Sequence, residues 1–311
     1  GFHNRQKAAM CAVGAPATVW PPAPSTRKER DCPVWDQLNM LKWLVRSPFR
    51  TVEVNPSLRR QIETRDPAGR SYGIFFTPRS GSTWFTDLMT RHGLGQPAEL
   101  FNPQHMAPFA QDAQAATLAD YLRLLPRQRQ AGGLFGFKLT YLHVLMTFRS
   151  ETRFFRAFPD TTWIWLVRED IVAQAISGSR VHQTGIAQLR GAQVDTVTDA
   201  AFHYRPSELR RRIKRLRWLE TRTEGFFARR GLSPCRLSYE RLQQAGETAT
   251  AKFIASMLKA EPFDTPPEGR FHRVASQKAP EFAARFRDEN AAFVERIDAQ
   301  RASMLAQLQS P

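Results

Sequence analysis

From Ser71 to Gly93 the chain reads as a strand, a hydroxyl-rich turn and a helix in immediate succession. Tyr72-Gly-Ile-Phe-Phe-Thr77 is a short apolar run of strand type. Pro78-Arg-Ser-Gly-Ser-Thr83 follows, and Phe85, Leu88 and Met89 then fall at helical spacing that stops at Gly93. Three further runs repeat the strand signal, at 133–139, 162–167 and 235–239, with helical patterns at 115–126, 170–184 and 207–230. The runs at 133–139 and 162–167 are nearly all apolar, as parallel strands covered on both faces are. The alternation predicts an α/β domain of three layers, with a mostly parallel central sheet flanked by helices.

The 311 residues are 42% hydrophobic and 11% aromatic, enough apolar surface for a real core, which excludes wholesale disorder. Residues 1–70 read as an N-terminal extension, irregular and proline-rich at first. Within it, Asp31-Cys-Pro-Val-Trp35 starts a short amphipathic helix with Trp35, Leu38, Leu41 and Val45 on one face. That helix either packs on the main domain or lies on a membrane surface, since Lys42 and Arg46 flank its apolar face. Pro48, Pro56 and Pro67 make the stretch up to about residue 70 loop-like. Residues 71–311 read as the main domain. Its last segment, 280–308, reads as one helix with Phe282, Phe286, Phe293, Ile297, Met304 and Leu308 on a near-heptad seam, a core face or, alternatively, a homodimer contact.

Lys and Arg number 45 against 29 Asp and Glu, a formal charge of +16, and 37 of the basic residues are Arg. Such an excess favours an anionic partner: nucleic acid, an anionic membrane, or a small molecule carrying phosphate or sulfate. The planar fork of Arg suits oxyanions. Cys11, Cys32 and Cys235 are widely spaced, with no CxxC and no Cys/His cluster at metal-ligand spacing, so neither a disulfide framework nor a metal site is expected. No apolar run is long enough to span a membrane, because Lys138 and His143 interrupt the longest one, and the N-terminus lacks a compact signal core. The expected compartment is the cytoplasm, with peripheral attachment to the inner membrane as a variant.

The turn after the first strand is the first chemical signal. Gly81 sits at its bend, Ser80, Ser82 and Thr83 supply hydroxyls, Arg79 supplies a cation, and a helix begins directly after. Backbone N–H groups at such a helix start converge on one point, and the macrodipole adds positive charge there. The Walker pattern is absent: no Lys precedes the Ser/Thr, and the strand at 162–167 ends in Arg168 rather than an Asp. Those absences argue for a transferred group of lower charge than a γ-phosphoryl. The second signal is Arg168 at a strand end, Asp170 as a helix cap, and Ser177 nine residues after Arg168. A guanidinium and a hydroxyl at that corner can hold a second phosphate at the C-terminal edge of the sheet.

Taken together, Pro78-Arg-Ser-Gly-Ser-Thr83 and Arg168-x-Asp-x-Val-x-Gln-Ala-Ile-Ser177, continuing to Arg180 and Gln183-Thr-Gly185, resemble the sulfotransferase family, closest to its bacterial trehalose 2-sulfotransferase branch. Gly95-Gln-Pro-Ala-Glu-Leu-Phe101, Gly136-Phe-Lys138-Leu and Leu237-Ser-Tyr239-Glu-x-Leu242 resemble further signatures of that family, in order, and the resemblance covers about residues 72–290. Gly178-Ser179 departs from it, because the family pattern carries aromatics there. The resemblance implies a P-loop-like sulfotransferase fold and 3′-phosphoadenylyl sulfate (PAPS) as co-substrate, without a metal. It implies that Arg79, Ser80, Gly81, Ser82 and Thr83 hold the 5′-phosphosulfate and that Arg168 and Ser177 hold the 3′-phosphate. It also implies a sugar hydroxyl as acceptor, with trehalose the first guess and a glycolipid, lipopolysaccharide or nodulation-type oligosaccharide the alternatives, and Glu99 as the base.

Arg79 and Lys138 are candidates to neutralise the leaving oxygen, since a Lys in an apolar strand requires an anion. Tyr239 and Tyr72 read as core aromatics with bonded hydroxyls, with Tyr239 also counted among the nucleotide-binding candidates. Arg273, Gln277 and Lys278 form a late polar cluster, either a loop closing on the 3′-phosphate or a solvated surface. His182 is an alternative base. The basic helix at 207–230 carries an apolar face of Leu209, Ile213, Leu216 and Leu219. A solvated basic face is the expected reading and a nucleic-acid or anionic-membrane surface the competing one.

Overall fold

The computed structural model describes residues 47–186, 199–264, 266–269 and 276–311. The elements run α1 (Pro56–Glu63), β1 (Arg70–Phe76), α2 (Ser82–Arg91), α3 (Met106–Asp112), α4 (Leu118–Gln128) and β2 (Leu134–Leu139). A helical turn (Tyr141–His143) and a π-helical stretch (Val144–Phe148) precede α5 (Glu151–Ala157), β3 (Thr161–Val167), α6 (Ile171–Thr184), α7 (Pro206–Arg229) and β4 (Cys235–Ser238). The chain then continues through α8 (Tyr239–Ala245), α9 (Glu247–Leu258), α10 (Lys278–Glu289) and α11 (Ala291–Leu305).

The four strands form one parallel sheet in the order β2-β1-β3-β4. Side chains alternate between its faces. Phe75, Phe137, Trp163 and Trp165 enter an aromatic core with Phe154, Phe226 and Phe227. Tyr72, Ile74, Ile164, Leu166 and Leu237 face the opposite way, onto Phe85, Met89 and Ile254. This gives the expected helix–sheet–helix layering. A third apolar cluster joins α6, α7, α10 and α11, and it buries Leu209, Ile213 and Leu216 of the basic helix together with Phe286, Phe293 and Ile297. Among the described residues no helix is long and apolar enough to cross a membrane.

Two sequence readings need correction. The stretch before residue 70 holds a helix as well as loop. Pro56 opens α1 rather than forbidding it, because Asn55 accepts from the N–H groups of Ser57 and Leu58 and a first-turn proline gives up no helical bond. Ile62 then enters the core and Arg59 reaches Asp120 on α4 at 2.6 Å. The C-terminal segment is two helices, broken at Asn290 (φ −132°, ψ 31°), whose side chain donates to the Phe286 carbonyl. The amphipathic helix read at Asp31–Val45 lies outside the described residues.

The strand order positions the site. After β1 the chain crosses to β2 on one side, then to β3 on the other, so the switch point lies between β1 and β3. In open α/β sheets ligands bind at that crevice, beyond the carboxyl ends of the strands. The register pairs Phe76 with Leu166, so the turn after β1 and the corner after β3 emerge side by side.

Candidate functional site

The turn after β1 is shaped by two residues with positive φ, Arg79 (68°) and Gly81 (81°). Gly81 is the N-cap of α2, and no side chain caps the first turn there. A Cβ on Gly81 would stand 2.1 Å from Cδ2 of Tyr239, so the ring can lie on the turn only because residue 81 is glycine. Gln174, fully buried on α6, donates to the Thr77 hydroxyl and the Pro78 carbonyl, both at 2.8 Å. The turn is thereby tied to the neighbouring βα unit.

Across the crevice, Arg79 Nε donates to Ser177 Oγ at 3.1 Å. Arg168 stacks its guanidinium 4.6 Å from the centre of the Tyr239 ring and donates to Glu240 at 2.7 Å. Tyr239 thus touches both corners, with Gly81 on one side and Arg168 on the other. Burial, with the charges of Arg180 and Arg168 adding to it, pushes the Arg79 pKa down to about 10. Three guanidinium groups therefore share one crevice at an uncapped helix N-terminus. The Ser80 hydroxyl is buried beside them and has no hydrogen-bond partner among the described residues. Such a set fits an oxyanion, which would accept from the hydroxyl and the first-turn N–H groups and relieve the repulsion among the cations.

A second cluster lies along β2. Ala98 forms a parallel bridge to Phe137, and Lys138 N donates to Ala98 O at 2.8 Å. That bridge fixes Glu99 beside Lys138, with Oε1 3.9 Å from Nζ, too long for a hydrogen bond but within a strong field. Asn102 Nδ2 donates to the other carboxyl oxygen at 2.8 Å, and His105 Nδ1 lies 3.9 Å from it. Burial raises the Glu99 pKa, but Lys138, His143, Asn102 and His105 together outweigh it and hold the carboxyl below its ordinary value. Lys138 is lowered by burial and partly restored by Glu99, and its ammonium lies 5.5 Å from the ring centre of Phe76, one residue before Thr77. His143, buried and accepting from the Thr140 N–H, is pushed down to about 4 by burial. It is therefore neutral in the neutral range and adds positive charge beside Glu99 only at acid pH.

The remaining candidates are scattered. Tyr72 is a core residue whose hydroxyl donates to the Leu94 carbonyl at 2.6 Å. Tyr239 is not; it is half-buried, and its ring is part of the crevice. His182 is exposed on the last turn of α6. Lys278 donates to the Phe202 carbonyl at 3.2 Å, Gln277 N–H bonds Asp199, and Arg273 lies outside the described residues.

The sequence reading did not single out His105, His143, Glu240 or Arg212. Arg212, held by Glu208 at 2.7 Å, sends a terminal nitrogen to within 3.5 Å of where a Gly178 Cβ would lie, with Arg79 Cγ at 3.8 Å from the same point. A Cβ there would make ordinary van der Waals contacts, so position 178 faces the side chains of Arg212 and Arg79 directly. A family model described as Stf0 sulphotransferase matches residues 71–289, more than half of the chain. No curated protein matches it.

Proposed function

The chain belongs to the Stf0 sulphotransferase family, and on that premise we propose that it moves a sulfuryl group from PAPS to a carbohydrate hydroxyl, on a trehalose-like sugar or glycolipid. The observation that carries the donor assignment is the joining of the two anion corners into one crevice by the Arg79–Ser177 bond and the Tyr239 ring. A nucleotide with phosphates at both its 3′ and 5′ positions needs two such corners on one surface.

In this reading the first turn of α2, Ser80 and Arg79 hold the 5′ end, while Arg168 and Ser177 hold the 3′-phosphate. Bound PAPS supplies an activated sulfur: the acceptor oxygen–sulfur bond forms as the bond from sulfur to the bridging phosphate oxygen breaks. Glu99 takes the proton of the attacking hydroxyl. Arg79 and Lys138 stabilise the charge that develops on the departing phosphate oxygen. Lys138 and Asn102 keep Glu99 ionised and oriented, and Glu240 fixes the guanidinium plane of Arg168.

The donor assignment is tested with Arg168→Ala. Loss of a charge-assisted contact is expected to weaken adenosine 3′,5′-bisphosphate about 10- to 100-fold while leaving adenosine 5′-monophosphate nearly unaffected. Calorimetry showing equal losses for the two nucleotides would remove Arg168 from the 3′-phosphate. The acceptor is identified by transfer of labelled sulfate from PAPS to a panel of sugars and glycolipids, read by mass spectrometry.

A further inference from the structure

The corner that carries Arg168 is gripped from behind by a residue outside the family match. Arg301, on α11, is completely buried. Its Nε donates to both carboxyl oxygens of Glu220 on α7, at 3.0 and 3.3 Å, and Nη2 donates to one of them at 2.9 Å. The outer edge of the guanidinium turns to the main chain: Nη1 donates to the Glu169 carbonyl at 2.8 Å, and Nη2 to the carbonyl of Arg168 itself. Glu220 is equally buried, so the pair is sealed from water.

Fold stability gives little reason for this pair. A buried ion pair seldom outperforms apolar residues of the same volume, because desolvation cancels most of the attraction. The surrounding face of α11 is already apolar, with Phe293, Ile297 and Met304 buried. What a guanidinium does there, and a Leu or Met cannot, is bond two consecutive carbonyls at the bend where β3 becomes α6. The same bend carries Asp170, which caps α6 through the Ala173 N–H and is bound in turn by Arg287 at 2.6 Å. The N–H groups of Glu169 and Asp170 donate to Glu240, at 3.0 and 3.4 Å, so the carbonyls of the bend are held by Arg301 and its N–H groups by the carboxylate that also binds Arg168.

We propose that Arg301 is a positioning residue: neutralised by Glu220, it locks the Arg168–Glu169 backbone and so sets the direction from which the Arg168 guanidinium meets the 3′-phosphate of an adenosine nucleotide. The proposal rests on the donor reading above. It places one determinant of donor selectivity on the C-terminal helix, away from the nucleotide.

The test uses the full chain, the double variant Glu220→Met/Arg301→Met, and Arg301→Lys. The readouts are the melting temperature and the ratio of affinities for adenosine 3′,5′-bisphosphate and adenosine 5′-monophosphate. The double variant is expected to melt close to the parent, because both charges leave together. Its affinity ratio is expected to fall about 10- to 100-fold, the scale of a small misplacement of a binding group. Arg301→Lys, which retains a donor for one carbonyl, is expected to keep an intermediate ratio. A double variant with the parent's ratio overturns the proposal, since the pair would then serve packing alone. Should the double variant not fold, Arg301→Lys decides: a reduced ratio at the parent's melting temperature supports positioning, and an unchanged ratio overturns it. A parent protein without preference for the bisphosphate overturns the donor reading and this proposal with it, whereas a parental preference that survives both variants overturns this proposal alone.

Discussion

Glu99→Gln is expected to lower turnover about 10²- to 10⁴-fold, the usual contribution of a positioned base, while leaving affinity for adenosine 3′,5′-bisphosphate nearly unchanged. The amide keeps the shape and the Asn102 neighbourhood but cannot take a proton. Nucleotide affinity is expected to survive because Glu99 lies on the loop bridged to β2, whereas the guanidinium groups of the crevice follow β1 and β3. The pH profile adds an independent check. Although burial raises the carboxyl pKa, the neighbours, Lys138 foremost, bring it below its ordinary value. Glu99 is then ionised throughout the neutral range and loses activity only when pH falls through that lowered value. The acid limb of kcat/KM is expected below the ordinary carboxylate range and should vanish in Glu99→Gln. Turnover unchanged by the substitution would take Glu99 out of the mechanism.

Arg79→Gly is expected to lower kcat about 10²- to 10³-fold, as removal of one donor to developing negative charge does, and at the same time to raise the melting temperature of the nucleotide-free protein. Arg79 holds φ at 68°, a left-handed conformation that costs a side-chain-bearing residue about 1–2 kcal/mol. Its pKa is depressed to about 10, first by burial and then by Arg180 and Arg168. A cation whose pKa falls on folding is destabilising wherever it stays charged, here on the order of a few kcal/mol. Removing it relieves both terms. Against them stand the Ser177 bond, about 1 kcal/mol, and the added chain freedom of glycine, about 0.5–1 kcal/mol. The balance favours a more stable, inactive protein, the trade expected of a site that stores strain. A lower melting temperature in Arg79→Gly would show that the residue supports the fold instead.

β2 and β3 were legible because each is a nearly uninterrupted apolar run, β1 and β4 from shorter apolar signals, and the observed bounds lie within two residues of the expected ones. The order β2-β1-β3-β4 was not legible, since apolar runs carry no partner information. Yet that order makes two corners separated by some ninety residues of chain into neighbours. Arg79 and Ser177 could be named from the turn and the helix; their hydrogen bond could not. Asn290 breaks the C-terminal helix at a place where the apolar seam runs on unbroken in the sequence, because periodicity records a face and not continuity. Glu220 and Arg301 were readable in principle: each falls in phase with the apolar face of its helix, between Leu216 and Thr223 and between Ile297 and Met304. A charge at such a position announces a buried partner, and only the packing of α7 on α11 says which. His143 gave no such signal, because a lone His in an apolar stretch most often serves the core.

The bridge from Ala98 to Phe137 has a second consequence. β2 is the outer strand of the sheet, and an exposed outer strand is a template on which another chain can add. One loop residue, hydrogen-bonded to Lys138 and followed at once by Glu99, occupies part of that template. At the other margin Gln309 does the same for β4, bonding the Arg236 carbonyl at 2.8 Å. Cover for the strand edge and placement of the carboxylate are thus carried by the same few backbone atoms. On the proposed mechanism, disrupting the loop at 95–102 is expected to bare part of the β2 edge and displace the proposed base in one step.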